Sequence, residues 1–405
     1  MSQPFSAVLF LLFFSLMATA QNIVFTDAQF EAKLLEASST NNIALDENNN
    51  SIIIDMNNDG IIQESEALPV IKLNVSDSAI TSLNGIEFFQ NLTELNCTMN
   101  HLTTLILPEL PNLTFLECRL NQLEVLDLSL TENLMTLTAD LNNLHTIVFH
   151  PNAQLNYINL GYNNLVALDV SGLSQLSDLL INHNSLELLN VMGLVNLNSL
   201  NCRDNHLTAL DLSGLSGLAI AFCQNNQLTN IELNGLSNLM GLECQDNQLV
   251  QMDVSDSPIL EYVFVENNNL VELNLKNGAN ESASFNGNPD LSYICCDEEQ
   301  IEAIEFLLVD WNIPNCTVDA NCTLNTDRFT LSDRLIISPN PVQHAFSIQT
   351  TDVILNVSVH DLNGRVIASY GANPTNSYPV NTANGVYLVK IITTDSIYTQ
   401  KIVKH

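Results

Sequence analysis

Twelve residues, Asp55-Met56-Asn57-Asn58-Asp59-Gly60-Ile61-Ile62-Gln63-Glu64-Ser65-Glu66, place hard oxygen donors at a spacing that suits one chemistry. Side-chain oxygens fall at the first, third and fifth positions (Asp55, Asn57, Asp59), a glycine at the sixth, a backbone carbonyl at the seventh (Ile61) and a carboxylate with two oxygens to give at the twelfth (Glu66). A loop of this kind wraps one Ca²⁺, which takes about six to eight oxygens and tolerates irregular geometry. One Ca²⁺ is the cofactor expected here. A partial copy, Asp46-x-Asn48-x-Asn50, lacks the glycine and has Asn57 at its twelfth position, so it is discounted.

Other chemistry is hard to assemble. The chain has no G-x-S-x-G, no H-E-x-x-H, no phosphate-binding loop and no dinucleotide fingerprint. His101 and His206 occupy equivalent loop positions five repeats apart, roughly 24 Å at strand spacing, too far to share a metal. No catalytic residue is assigned and no enzyme is expected. The nine cysteines form two groups. Cys97, Cys118, Cys202, Cys223 and Cys244 alternate with Leu, Ile, Val and Ala at one repeat position and read as small core residues. Cys295, Cys296, Cys316 and Cys322 lie together, and a bridge from the vicinal pair to Cys316 or Cys322 is expected, with the connectivity open.

These residues are positioned by a repeat. From Leu95 the pattern Leu-x-Cys-x-x-Asn-x-Leu-x-x-Leu-x-Leu returns every 21 residues, and Asn100, Asn121, Asn142, Asn163, Asn184, Asn205, Asn226, Asn247 and Asn268 stand in strict register. The series resembles the leucine-rich-repeat family. The resemblance implies an α/β solenoid with a short parallel strand per repeat on its concave face. In each strand, alternate side chains point inward, as Leu95 and Cys97 do, and outward. The Asn then turns the chain out of the strand and bonds unpaired backbone groups as a structural ladder. Outward positions hold Tyr157, Arg203, Phe222, Glu243, Tyr262 and Phe264, with Tyr162 close by; this polar face with a few aromatic residues is the candidate ligand-binding face. A second outward row adds Arg119, Asp140, Asn182, Gln224, Gln245 and Glu266.

Regular repeats are expected over 73–289, ending where Ser78 and Pro289 replace the Asn. Residues 21–72 and 290–325 are expected to cap them. Thr26-Asp27-Ala28-Gln29 reads as a capping box with Phe25 and Phe30 as its staple, so 26–37 is an expected helix. Glu298–Val309 has helical spacing before Trp311. The 55–66 loop resembles EF-hand and dockerin-type loops, although Ser51–Ile54 before it reads as a strand and Pro69 soon stops the segment after it.

The ends of the chain speak to destination. Residues 1–20 pair an apolar run, Val8–Phe14, with the small residues Ala18-Thr19-Ala20, as a secretory signal peptide does. No later segment is long and apolar enough to span a bilayer. A formal charge of −34, from 11 Lys+Arg against 45 Asp+Glu, repels nucleic acid and anionic lipid. From Thr326 onward the balance is 6 basic to 5 acidic, leaving 5 and 40 before it, which marks a boundary near Asn325 and a linker over 326–333. In 334–405, alternating runs and the Asn363-Gly364 turn predict a small antiparallel β-sandwich. Its Ser338-Pro339-Asn340-Pro341, Asp361-Leu362-Asn363-Gly364-Arg365, Gly385-Val386-Tyr387-Leu388-Val389-Lys390 and Lys401-Ile402-Val403-Lys404 resemble the C-terminal sorting domain of type IX (Por) secretion cargo. That resemblance implies the type IX machinery as a partner and an outer-membrane-surface or extracellular location. The function expected is that of an adhesin-like module binding a protein or glycan, the alternatives being a surface-layer spacer or an exported enzyme or inhibitor.

Overall fold

The computed structural model describes residues 21–322, 335–350, 353–360, 366–371, 377–380, 382–393 and 397–404; the signal-peptide and linker segments lie outside them. The chain divides into two compact units, one of residues up to Leu168 with Gln175–Ser185, the other of Asp169–Ser174 with Leu186 onward.

In the first unit, three-residue strands recur once per repeat, among them Lys72–Asn74, Glu94–Asn96, Phe115–Glu117, Thr136–Thr138, Tyr157–Asn159 and Asp178–Leu180. They pair in parallel with the central residues in line, Leu73, Leu95, Leu116, Leu137, Ile158 and Leu179. In the second unit Leu200, Ala221, Leu242, Val263 and Ala283 are the matching centres of Ser199–Asn201, Ile220–Phe222, Gly241–Glu243, Tyr262–Phe264 and Ser282–Ser284. Nearly every one of these central side chains is buried, and the strand is short because only this residue and the one two further on face the core. Each fully buried Leu stabilises the stack by roughly 1.5–3 kcal/mol. The return limb of each repeat is made of turns and a second set of short parallel strands, such as Val125–Leu128 beside Thr146–Phe149 in the first unit and Gln251–Asp253 beside Glu272–Asn274 in the second.

Each strand ends in a left-handed residue. Met99, Leu120, Leu141, Tyr162, His183, Asp204, Asn225, Asp246 and Asn267 all have φ between 53° and 57°. This conformation is unfavourable for residues other than glycine and persists only where the surroundings impose it. The next residue is always the ladder Asn. Asn142 is typical: its Nδ2 donates to the carbonyls of Cys118 (3.0 Å) in the preceding coil and Ala139 (3.1 Å) in its own, while its Oδ1 accepts from Leu123 N–H (3.0 Å). One buried amide thus satisfies three backbone groups that the sharp exit leaves unpaired.

The ladder reaches one step further than the 21-residue spacing predicts. Asn288 donates to Val265 and Phe285 carbonyls and accepts from Leu270 N–H. The last repeat is one residue shorter, so the role passes to the residue before Pro289. At the other end Ser78 does not take that role; its N–H donates to Asn100 Oδ1.

The N-terminal cap is α1, Ala28–Leu35. Its N-cap is Asp27 and not Thr26: Asp27 Oδ1 accepts from Gln29 and Phe30 N–H, and Oδ2 accepts from Thr81 N–H, Thr81 Oγ1 and Ser82 N–H. A hydroxyl could cap the helix, but only a carboxylate has a second oxygen to hold the first repeat as well. Burial pushes the Asp27 carboxyl up, yet these donors, Thr81 foremost, outweigh it and hold the group below its ordinary range. Phe25 meets Phe30 edge-on at 5.4 Å. Ser51–Ile54 is no strand; Ser51 makes only a single bridge to Leu45. The loop leads into α2, Glu64–Ala67. After the last repeat α3, Ile301–Asp310, buries Ile304 and Leu308, and Trp311 packs edge-on to Phe285 at 4.9 Å.

Among the described residues of the C-terminal domain the strands pair antiparallel, with one isolated parallel bridge from Val342 to Lys404. One sheet joins Leu335–Ser338, Ala345–Thr350 and Ser377–Pro379; the other runs in the order Val366–Gly371, Ile354–His360, Gly385–Thr393, Ile397–Lys404. Phe346, Ile348, Val357, Val359, Tyr378, Val389, Ile391 and Ile402 form their shared core. The Asn363-Gly364 turn lies outside the described residues, and the strands on either side of it pair with Val357 opposite Tyr370.

Replacing Asn184 by Ala removes donors to the Leu160 and Ile181 carbonyls and the acceptor of Leu165 N–H. The expected loss is roughly 1–3 kcal/mol of unfolding free energy, read by urea denaturation, and an unchanged midpoint contradicts the ladder's role.

Candidate functional site

The 55–66 loop is closed on itself. Asp55 Oδ2 accepts from Gly60 N–H (2.9 Å), Asn57 Oδ1 from Asp59 N–H (2.8 Å) and Asp59 Oδ1 from Ile61 N–H (2.9 Å). Gly60 takes φ 82°, which is why glycine stands there. Glu66, only 4% exposed, reaches back across the loop: Oε1 accepts from Met56 N–H (2.9 Å) and Asn57 N–H (3.2 Å), and Oε2 from Gln63 N–H (3.0 Å). Gln63, absent from the expected ligand set, bridges the middle. Its Nε2 donates to Asp59 Oδ2 (3.2 Å) and the Ile61 carbonyl (3.0 Å), and its Oε1 accepts from Asn57 Nδ2 (2.9 Å). It stands at the ninth position of the twelve, which in such loops faces the centre, and that was the signal available for it. Among the described residues, no three His, Cys, Asp or Glu side chains converge as a metal cluster.

The face residues fall in two groups, one in each unit. In the first unit Tyr157 stands on a strand beside an ion pair, Arg119 Nη2 to Asp140 Oδ2 at 3.3 Å, and Asn159 Nδ2 also donates to Asp140. Burial lifts the Asp140 carboxyl above its ordinary range although Arg119 pulls it down; burial and then Asp140 raise the Tyr157 phenol. Tyr162 is at the left-handed exit position, not on a strand, and stacks on His183 with ring centroids 4.1 Å apart.

In the second unit Phe222, Glu243 and Phe264 occupy one outward row on three neighbouring strands. Tyr262 lies across Gly241: a Cβ built there would come within 2.3 Å of the tyrosine ring, so with the ring in this place the position has no room for a side chain. Its ring sits 5.2 Å from that of Phe264, and burial followed by the charge of Glu243 raises its phenol. In the adjacent outward row, Gln224 donates from Nε2 to Glu243 Oε2 (3.0 Å), and Arg203 Nε lies 3.5 Å from Asp204. Gln224 Oε1, Gln245 Oε1 and Glu266 Oε2 are buried atoms of this row with no hydrogen-bond partner.

The cysteines are quiet. Burial pushes the Cys97 thiol up to about 12 and that of Cys118 well above its ordinary value, while Cys202 is raised first by a thiol hydrogen bond with Cys223 and then by burial. These are core thiols, not nucleophiles. Cys295 and Cys322 are bridged, with Cα atoms 5.2 Å apart. Cys296 and Cys316 are unbridged, and burial pushes both thiols up to about 11.

No curated protein matches the chain at the level of sequence. Among solved structures, the functional domain of InlJ from Listeria monocytogenes, described as including a cysteine ladder, is 20% identical over 85% of this chain and 93% of that one, with a TM-score of 0.50. Internalin InlF from the same organism is 20% identical, covering 75% of this chain and 98% of its own, with a TM-score of 0.42. The first likeness shows the fold, a leucine-rich-repeat solenoid. No helix among the described residues is long and apolar enough to cross a membrane. Residues 336–405 match the family described as the secretion system C-terminal sorting domain, and the chain carrying it is a secreted protein of the outer-membrane surface or the extracellular space.

Proposed function

We propose that this protein is an adhesin-like binding module displayed outside the cell, that its strand face recognises a protein or glycan, and that one Ca²⁺ in the 55–66 loop stiffens its N-terminal cap. The observation that carries the reading is the outward row of Phe222, Glu243 and Phe264 with Tyr262 beside it: partly exposed side chains that hold no part of the core together, on a secreted repeat scaffold. Repeat solenoids offer extended surfaces of this kind for binding, and aromatic residues with charged neighbours are the side chains that anchor partners. The machinery of type IX secretion is the partner of residues 336–405. The reading involves no catalytic step.

The calcium proposal rests on the chemistry of the donors. Asp55, Asn57, Asp59, the Ile61 carbonyl and Glu66 supply only oxygen, and the turns at Asp55, Asn57 and Asp59 already hold the loop in a ring. The amide of Gln63, a neutral donor to Asp59 and the Ile61 carbonyl, would give way to the cation. Because Glu64 N–H donates to the Gln21 carbonyl and Ile23 N–H to that of Ile62, an ordered loop holds the start of the cap.

Alanine replacing Phe222, Glu243, Tyr262 and Phe264 together is expected to abolish capture of partners from host or community extracts while circular dichroism stays unchanged. Capture equal to that of the parent would establish the spacer reading instead. Calcium is expected to raise the melting temperature with the logarithm of its concentration above a dissociation constant on the order of 10⁻⁴ to 10⁻³ M. Asp59→Ala is expected to lose this shift; no difference between calcium and chelator in the parent leaves an acidic turn alone. Deleting residues 334–405 is expected to hold the protein in the periplasm, and its detection on intact cells would contradict the sorting role.

A further inference from the structure

We infer that the second unit's strand face takes a neutral, β-linked glycan lying across the strands, one sugar unit per strand. This deepens the binding-face reading above and rests on it.

Three features of the face agree. First, Gln224 Oε1, Gln245 Oε1 and Glu266 Oε2 are orphaned acceptors on three consecutive strands, at one outward position of each. An acceptor shut off without a donor is costly, so the row favours a ligand that draws these partly exposed side chains outward and brings a donor to every strand, at intervals of about 4.8 Å. Secondly, Phe222 and Phe264 stand two strands apart in the neighbouring row, about 10 Å at that spacing, with Glu243 between them. Thirdly, Gln224 Nε2 holds Glu243 Oε2, which fixes the carboxylate of the strand that lies between those of the two rings.

The interval decides the class of ligand. An extended peptide presents N–H groups on one side at every second residue, about 6.7 Å apart, and falls out of step with the row after one strand. A β-linked pyranose chain advances by close to one strand spacing per sugar and turns over at each unit. It therefore offers a hydroxyl donor at each strand and the same ring face at every second one, where Phe222 and Phe264 stand. The C–H groups of that face carry partial positive charge and suit the negative face of a phenyl ring. Glu243 and Glu266, in a chain of net charge −34, exclude sulfated or uronate chains and leave neutral ones.

The test is calorimetry on the full secreted chain with cellohexaose, mannohexaose and xylohexaose, and with polygalacturonate as the charged control. At least one neutral hexasaccharide is expected to bind and polygalacturonate is not. For that sugar, affinity is expected to rise with chain length and level off at about four units, the span from Arg203 to Glu266. Phe222→Ala and Phe264→Ala are each expected to weaken binding about tenfold. Gln245→Leu, which removes one orphaned acceptor without touching the core, is expected to weaken it as well. Absence of binding by all three neutral hexasaccharides at millimolar concentration overturns the inference, as does binding that these variants leave unchanged. If no sugar binds but a protein partner is captured in a Phe222-dependent manner, the glycan inference fails while the binding face stands. If neither ligand depends on these residues, both readings fail.

Discussion

The rest of the solenoid depends on how its backbone escapes each strand. A three-residue strand buries one or two side chains and must then turn out at once, through a left-handed residue that in most repeats is not glycine. The turn strands carbonyls and an N–H in the interior, where unpaired groups are costly. The buried carboxamide of the following Asn answers them, and within each unit it also ties coil to coil, as Asn142, Asn184 and Asn247 do by holding a carbonyl of the coil before them. Ser or Thr could not substitute, since a hydroxyl has one proton to give where the site needs two donors and an acceptor. The same shortness frees the outward positions. Because the core is served by inward leucines and the ladder, residues such as Phe222 and Glu243 stand outside it, partly exposed.

This division explains what could be read from the sequence. The repeat was legible because both of its requirements, an inward Leu and an Asn after the turn, are met by single residue types at fixed spacing. Where the spacing breaks, the pattern misleads: Asn288 completes the ladder after a repeat one residue short, although the 21-residue interval falls on its neighbour Pro289. The cap of α1 was misplaced by one residue because a capping box is a local pattern, whereas Asp27 is chosen by a contact to Thr81 and Ser82 more than fifty positions away. The bridge from Cys295 to Cys322 was similarly beyond the sequence, since pairing depends on which thiols the strand Tyr293–Cys295 and the turn after Thr317–Asp319 bring together.

The face was legible as a set of outward positions but not as an arrangement. Alternation placed Tyr262 and Phe264 on one side of a strand, yet only the structure shows that Tyr262 leans over Gly241 and so depends on the absence of a side chain in the neighbouring repeat. Tyr162, grouped with the strand residues by proximity in sequence, belongs to the exit turn and stacks along the ladder on His183. The loop at 55–66 shows the converse: its donors follow from the twelve-residue spacing, while the part played by Gln63 emerges only when its amide is seen spanning Asn57, Asp59 and Ile61.

Side-by-side pairing of successive coils has a mechanical consequence for a protein that works outside the cell. Tension that separates neighbouring coils acts along their interstrand hydrogen bonds and loads one rung at a time, so the bonds peel in sequence instead of shearing together. Each coil that detaches frees 21 residues, about 70 Å of extended chain. Within either unit the solenoid would therefore yield to a pull in graded steps of contour length, paying out slack from its end while the coils behind it keep their faces intact.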